Sequence, residues 1–313
     1  MDLVIEVKDL VKRYKKAERN AVDGISFHVS KGEFFAFLGP NGAGKTTTIS
    51  ILTTTLAKTS GSISIAGYDI DHHPSEVRQS IGVIFQNPSL DKNLTAEENV
   101  RFHAILYGLY PFSPSFSMMP SEYKNRIIQL AEVLDLQKDI FKPIKNFSGG
   151  MKRKLEIIRS LMHKPKVLFL DEPTSGLDPI SRQDLWKYLK TMRQQEKTTI
   201  FLTTHYLEEA EEADRIAIIN AGRIVAHGTP EKIKEHLIEE YVILDAKDKK
   251  SLQEELDKLK IDYIREGMFK VSTKTMPAQK IIQRISTPLS MINVHSPSLE
   301  EAYVEIIKEE KHV

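Results

Sequence analysis

Between an apolar run at 34–38 (Phe-Phe-Ala-Phe-Leu) and a helix-compatible stretch at 46–56 stands Gly39-Pro40-Asn41-Gly42-Ala43-Gly44-Lys45-Thr46-Thr47. This spacing of glycines, lysine and threonine is that of a phosphate-binding loop, which requires strand, loop and helix in that order. The apolar run suits a buried parallel strand and the stretch after the loop suits a helix, so the context is met. Glycines let backbone N–H groups turn inward around phosphates, the helix N-terminus adds about half a positive charge, and Lys45 neutralises the β and γ oxygens. Thr46 offers its hydroxyl to Mg2+. The chain is therefore expected to be an α/β protein built around a nucleoside triphosphate site.

A length of 313 residues favours two domains, or one large domain with an appendage. With 44 basic and 43 acidic residues the charge nearly cancels, which gives no support for a general nucleic-acid or anionic-membrane binder. The absence of cysteine excludes disulfides and thiolate metal sites and allows a reducing cytoplasm. The ten histidines show no metal-ligand spacing, and adjacent His72 and His73 read as a solvated loop. Apolar runs such as 167–170 and 216–219 fall far short of the roughly 20 residues that span a bilayer. Met1-Asp2-Leu3 carries no basic leader of the secretory kind. If the protein acts at a membrane, another chain is expected to cross it.

Residues 3–7, 25–29 and 63–66 alternate or cluster apolar side chains as strands do, and predict an antiparallel layer beside the phosphate-loop core. Apolar residues recur at helical spacing over 95–110 and 123–136, which predicts a helical insert, broken by a proline-rich irregular loop at 111–120. Runs 166–170 and 198–202 read as buried strands ending in Asp171-Glu172 and Thr203-Thr204-His205, where a parallel sheet presents ligands. A hairpin over 216–226 turns on Asn220-Ala221-Gly222. After Thr229-Pro230 the order strand, helix, strand, strand, helix, strand over 241–294 predicts a small α+β ferredoxin-like module. A last helix starts at Ser298, with Glu301 completing a capping box. We place a nucleotide domain at 1–230, its helical subdomain at about 90–163, and a C-terminal module at 231–313.

The strand end at Asp171-Glu172 fits the second motif of a nucleotide site, where an aspartate orders the Mg2+ shell and the next glutamate polarises an attacking water. Asp-Glu after an apolar run is common by itself. Here it lies downstream of a phosphate loop and is followed by Pro173-Thr174-Ser175-Gly176-Leu177-Asp178. With these residues and Asn146-Phe147-Ser148-Gly149-Gly150-Met151, the chain resembles the ATP-binding subunit of an ABC transporter over about residues 5–228.

The resemblance implies a P-loop ABC ATPase core with an antiparallel β layer and a helical subdomain. It makes Ser148, Gly149 and Gly150 the signature that pins the γ-phosphate bound by the opposite subunit, hence a dimer burying two ATP molecules. A serine hydroxyl and two glycine N–H groups at a helix start suit an anion. Gln86 resembles the Q-loop glutamine, which reports the Mg2+ and γ-phosphate state to the helical insert. His205 resembles the switch histidine that contacts the γ-phosphate, and Tyr14 the aromatic residue that stacks on adenine. Phe147 and Met151 stand where leucine and glutamine are usual, a departure seen in the branch that resembles daunorubicin- and linearmycin-resistance exporters. Met151 cannot donate a hydrogen bond. Residues 297–303, Pro297 to Tyr303, look like the end of the accessory domain in that branch. Lys152, Arg153 and Lys154 occupy first turns of the signature helix, where cations oppose the dipole by about 0.3 to 1 kcal/mol each. A nearby polyphosphate or a solvated basic face accounts for them.

The expectation is an ATPase subunit that dimerises on MgATP and drives a separately encoded membrane permease from the inner face of the cell membrane, exporting a drug, antibiotic or lipid-like substrate. The resemblance gives the catalytic roles to Glu172 and His205. ATP falls to Tyr14, Gly39, Pro40, Asn41, Gly42, Ala43, Gly44, Lys45, Thr46, Thr47, Gln86, Ser148, Gly149 and Gly150, and Mg2+ to Thr46, Gln86 and Asp171. Two identical copies are the expected dimer, no nucleic acid is expected, and the permease contact is expected around Phe102, Leu106, Tyr107, Tyr110 and Phe112. Two other classes stay open. A soluble ABC ATPase acting on nucleic acid or the ribosome would favour tandem domains, a long coiled-coil insert or a basic stripe, none of which this chain shows. A regulatory module switched by ATP is opposed by the intact Glu172 and His205.

Overall fold

In the computed structural model, which describes residues 2–86, 89–237, 240–273, 276–295 and 298–309, the phosphate loop leaves a strand buried at every position, Phe34–Leu38. That strand is third in a six-stranded sheet ordered Arg223–Gly228, Arg215–Asn220, Phe34–Leu38, Thr199–Thr204, Val167–Asp171 and Ile81–Ile84. Phe34–Leu38 is parallel to both neighbours, and Val167–Asp171 is parallel to both of its own. Parallel strands covered on both faces need no polar alternation, which is why Val167–Asp171 and Thr199–Thr204 are also buried throughout. Their shared direction brings Gly39, Gln86, Glu172 and His205 out at one edge of the sheet.

A second, antiparallel sheet runs Val22–Ser30, Leu3–Lys12, Ser60–Ile65, Tyr68–Asp69. Alternation along Val22–Ser30 buries Val22, Ile25, Phe27 and Val29. Phe27 then meets Phe35, Phe37 and Phe201 with ring centroids 5.6, 5.6 and 6.0 Å apart. Pairs of this kind contribute about 0.5–1.5 kcal/mol each beyond the area they bury. This cluster fixes the antiparallel layer against the strand that feeds the phosphate loop.

The helix after the loop is shorter than the pattern over 46–56 suggests and ends at Leu52. The cause is the threonine run that follows: Thr53 and Thr55 hydroxyls donate to the carbonyls of Ile49 and Ser50, each at 2.8 Å, and Thr54 turns to φ 61°.

The helical insert comprises Ala96–Leu106, Ser121–Val133 and Gly149–Leu161. Thr95 and Glu98 form a capping box on the first, and the buried pair Arg101 to Glu97 (3.0 Å) with Tyr123 donating to Glu97 (3.0 Å) ties it to the second. Residues 111–120 are not wholly irregular. A single 3-10 turn, Phe116–Met118, forms there, and the Phe116 ring packs edge-on against Phe141 at 5.0 Å. Among the described residues no helix is long and apolar enough to cross a membrane.

The chain divides into two compact units, Met1–His227 and Gly228–Val313. In the second, strands run Tyr263–Glu266, Met268–Ser272, Tyr241–Ala246, Leu289–His295, each antiparallel to its neighbour. Helices Lys249–Lys258 and Ala278–Arg284 make the crossovers and bury Leu252, Leu256 and Ile281 against Val242, Leu244, Phe269 and Val271. Ser298 caps Leu299–Glu309 reciprocally with Glu301, while Pro297 lies outside the described residues.

Glu255 accepts from the Thr287 hydroxyl and from the Ser286 and Thr287 backbone N–H groups, and these bonds hold its carboxyl down at about 2. A depressed folded pKa gives stability that is full above the unfolded value of 4.5 and is lost as pH falls through the folded one. Glu255→Gln is expected to lower the urea midpoint of the full chain at pH 7, and its gap to the parent should close between pH 4.5 and 2. An unchanged gap across that window, followed by far-UV circular dichroism, would remove the carboxylate from this role.

Candidate nucleotide site

Four strand ends and one helix start build the site. Gly44, which caps Lys45–Leu52, has φ 112°, and a Cβ there would lie 2.5 Å from the Ala21 carbonyl oxygen. Gly39 has an ordinary φ, yet its Cβ would meet the Ile219 carbonyl oxygen at 2.3 Å. These two glycines are required by close backbone approach, so the loop lies flush on the hairpin and on the chain before Val22.

Lys45 is 5% exposed and donates to the carbonyls of Gly39 (2.7 Å) and Pro40 (3.2 Å). Its Nζ also stands 3.9 Å from Glu172 Oε1. Burial lowers the ammonium pKa, and the charges of Glu172 and Asp171 work the other way. Asp171 is buried, which raises its carboxyl, while a hydrogen bond from the Thr203 hydroxyl, the Lys45 charge and a bond from Thr46 pull it back.

Glu172 follows at the strand end with φ 47°, a left-handed conformation that costs a non-glycine residue roughly 1–3 kcal/mol. This turn swings its carboxylate back across the sheet edge. Oε2 accepts from Gln86 Nε2 at 3.0 Å and Oε1 lies 3.1 Å from His205 Nδ1. Three groups from separate stretches of sequence, Lys45, Gln86 and His205, thus meet on the one carboxylate of Glu172.

Asn41, Gly42, Gly44, Lys45, Thr46, Thr47, Gln86, Glu172 and His205 line one cavity of about 480 Å³. Ala21, Ser175 and Tyr206 line it too, and were not anticipated. Ser175 lies in the run after Glu172, and Tyr206 is adjacent to His205 with ring centroids 4.1 Å apart, so position beside a motif was the available signal. Tyr14 is not among the lining residues; it is 45% exposed, with its hydroxyl 3.3 Å from Oγ1 of Thr47, which does line the cavity. Ser148, Gly149 and Gly150 are not among the lining residues. Ser148 Oγ caps its helix by accepting from Met151 N at 3.2 Å, the Gly149 Cβ position faces open space, and a Cβ on Gly150 would meet Ser181 Oγ at 2.6 Å.

Mg2+ requires hard oxygen donors and keeps several waters. Among the described residues no group of three His, Cys, Asp or Glu side chains could hold a metal alone. The Thr46 hydroxyl and the Asp171 carboxylate are hard oxygen donors of the kind that suits a cation shared with a bound polyphosphate. Gln86 gives its Nε2 to Glu172, which leaves its amide oxygen as the atom for a cation.

Two buried side chains brace this site, of which Glu209 went unread in the sequence and Arg153 was read for another place. Glu209 accepts from Thr174 Oγ1 and, at 2.6 Å, from Thr204 Oγ1, so it braces the residues beside Glu172 and His205; burial raises its carboxyl pKa. Arg153 contradicts both readings offered for it. It is neither solvated nor turned to a phosphate, being 5% exposed and bonded to four backbone carbonyls.

A sequence model described as "ABC transporter" matches residues 22–175. The "Doxorubicin resistance ATP-binding protein DrrA" of Mycobacterium tuberculosis is 35% identical over 97% of this chain and 93% of its own length. The "Probable multidrug ABC transporter ATP-binding protein YbhF" of Escherichia coli is 37% identical over 74% of this chain, which spans only 38% of that relative. Among solved structures, a dimeric post-hydrolysis ATP-binding cassette bound to ADP and Pi covers 72% of this chain and 98% of its own at 25% identity, with a TM-score of 0.64.

Proposed function

Because the chain belongs to the ABC transporter family of ATP-binding subunits, we propose that it is an ATPase which closes into a dimer on MgATP and powers a separately encoded membrane permease. One observation carries this reading. The carboxylate of Glu172 is held by Gln86 and His205 in the cavity of the phosphate loop, whereas the Ser148-Gly149-Gly150 turn stands outside that cavity. A second copy supplies the missing serine-glycine pair, and in return receives one.

Within each site the loop N–H groups and Lys45 hold the β and γ phosphates, and Tyr14 lies at the side of Thr47 where adenine stacks. Thr46, Asp171 and Gln86 would hold Mg2+, which would supply neutralisation of the phosphate charge. Glu172 takes a proton from the attacking water, His205 steadies the γ-phosphate, and Gln86 reports occupancy to the helical insert. The protein works at the inner face of the membrane through its permease. The doxorubicin-resistance and multidrug-transporter names of the relatives support a drug or antibiotic as cargo, within the wider class of drug, antibiotic or lipid-like molecules we propose. Phosphate release by the purified chain, raised by a permease in lipid, tests the whole; stimulation by RNA or DNA in place of the permease would overturn it.

We infer that the permease contact includes Leu106 and Phe112, and their exposure, 85% and 73%, supports this. Tyr110 instead stands edge-on to Tyr123 at 5.5 Å, so a charge there would disturb the subdomain. Phe112→Glu and Leu106→Glu are expected to keep basal hydrolysis and cut permease co-purification by about tenfold, near 1.4 kcal/mol of lost contact. Undiminished co-purification of both would move the contact elsewhere.

A further inference from the structure

The guanidinium of Arg153 sits near the start of Gly149–Leu161, where the helix dipole opposes a cation, and the structure shows what keeps it there. Nε donates to the Pro173 carbonyl at 2.8 Å; Nη1 donates to the Phe85 carbonyl at 2.5 Å and to Glu156 Oε2 at 3.0 Å. Nη2 reaches the Asp171 and Glu172 carbonyls at 3.5 and 3.4 Å. Glu156, 1% exposed, turns its other oxygen to the Ser89 N–H at 3.1 Å, and Arg159 donates to the Ser89 carbonyl and hydroxyl at 2.7 Å each. One helix face thus holds backbone on either side of Gln86 and through the whole of 171–173.

A left-handed glutamate persists only when its surroundings over-determine it, and the carbonyl of Glu172 and that of the next residue are among the groups Arg153 holds. The same helix begins at Ser148. We propose that Arg153 is a positioning residue which locks the backbone at Phe85 and at Asp171–Pro173 to this helix, so that docking of the serine-glycine turn and placement of Gln86 and Glu172 are set together. The proposal rests on Glu172 being the base.

A merely structural ion pair behaves differently. Removing one buried partner strands the other charge, while replacing both with apolar side chains of similar size restores the fold. The test compares Arg153→Met, Arg153→Lys and the double variant Arg153→Met with Glu156→Met in the full chain, reading Tm, affinity for a fluorescent ATP analogue, and kcat and KM of hydrolysis. The double variant is expected to regain parental Tm and nucleotide affinity to within about twofold and to stay at least about tenfold low in kcat. Recovery of kcat together with Tm overturns the proposal. Should the double variant not fold, Arg153→Lys decides: a kcat about threefold low or worse at near-parental Tm supports it, and parental kcat overturns it. Glu172→Gln is assayed alongside. Undiminished turnover there sinks the base assignment itself, whatever Arg153 does.

Discussion

Glu172→Gln is expected to leave MgATP bound and to lower turnover about 10²-fold or more, the scale of a lost general base. The amide has the shape of the carboxylate, so the neighbours at 3.0 and 3.1 Å, Gln86 and His205, keep a partner. What disappears is the ability to take a proton, together with one negative charge facing the phosphates. The nucleotide-bound dimer should therefore accumulate. Two measurements on the same preparation check this: phosphate release, and molecular mass by light scattering at saturating MgATP with permease present. A variant that hydrolyses normally would deny Glu172 its role, and one that stays monomeric would deny the dimer.

Gly44→Ala is expected to weaken nucleotide binding by about 10- to 100-fold, the equivalent of 1–3 kcal/mol of backbone strain or displacement. A methyl group at φ 112° is unfavourable in itself, and here it also points at a carbonyl oxygen only 2.5 Å away. The loop must then move off Ala21, and its N–H groups lose their aim. Gly42→Ala is the control, because at φ 80° its Cβ meets nothing within 4 Å and only the conformational cost of about 1 kcal/mol remains. Titration with a fluorescent ATP analogue should rank the two clearly. Equal losses would show that backbone freedom, and not the approach of Ala21, is what the loop requires at Gly44.

Much of the architecture was legible because it is written in local pattern. The run 34–38 has no polar residue, which only a doubly covered strand tolerates, and Ser298 with Glu301 announces the last helix. The long helix after the loop was misjudged for an equally physical reason, since threonine hydroxyls at 53 and 55 compete for the last carbonyls. Basic residues 152–154 misled because charge in sequence carries no information on burial. Lys154 does pair at the surface, with Asp184 at 3.6 Å, while its neighbour one position back faces the interior.

The identity of each chemical group, and the order in which strands deliver them, were determined by the sequence alone, because residue type fixes donors, acceptors and charge, and apolar runs fix strand ends. The meeting of those groups was decided only by the fold. Lys45, Gln86, Glu172 and His205 span 160 positions, and what brings them within hydrogen-bonding or ion-pair reach is the parallel register of Ile81–Ile84, Val167–Asp171, Thr199–Thr204 and Phe34–Leu38. The braces provided by Glu209 and Arg153 belong wholly to the tertiary structure. A buried polar side chain must find partners wherever packing places them, and no spacing rule foretells which carbonyls those are.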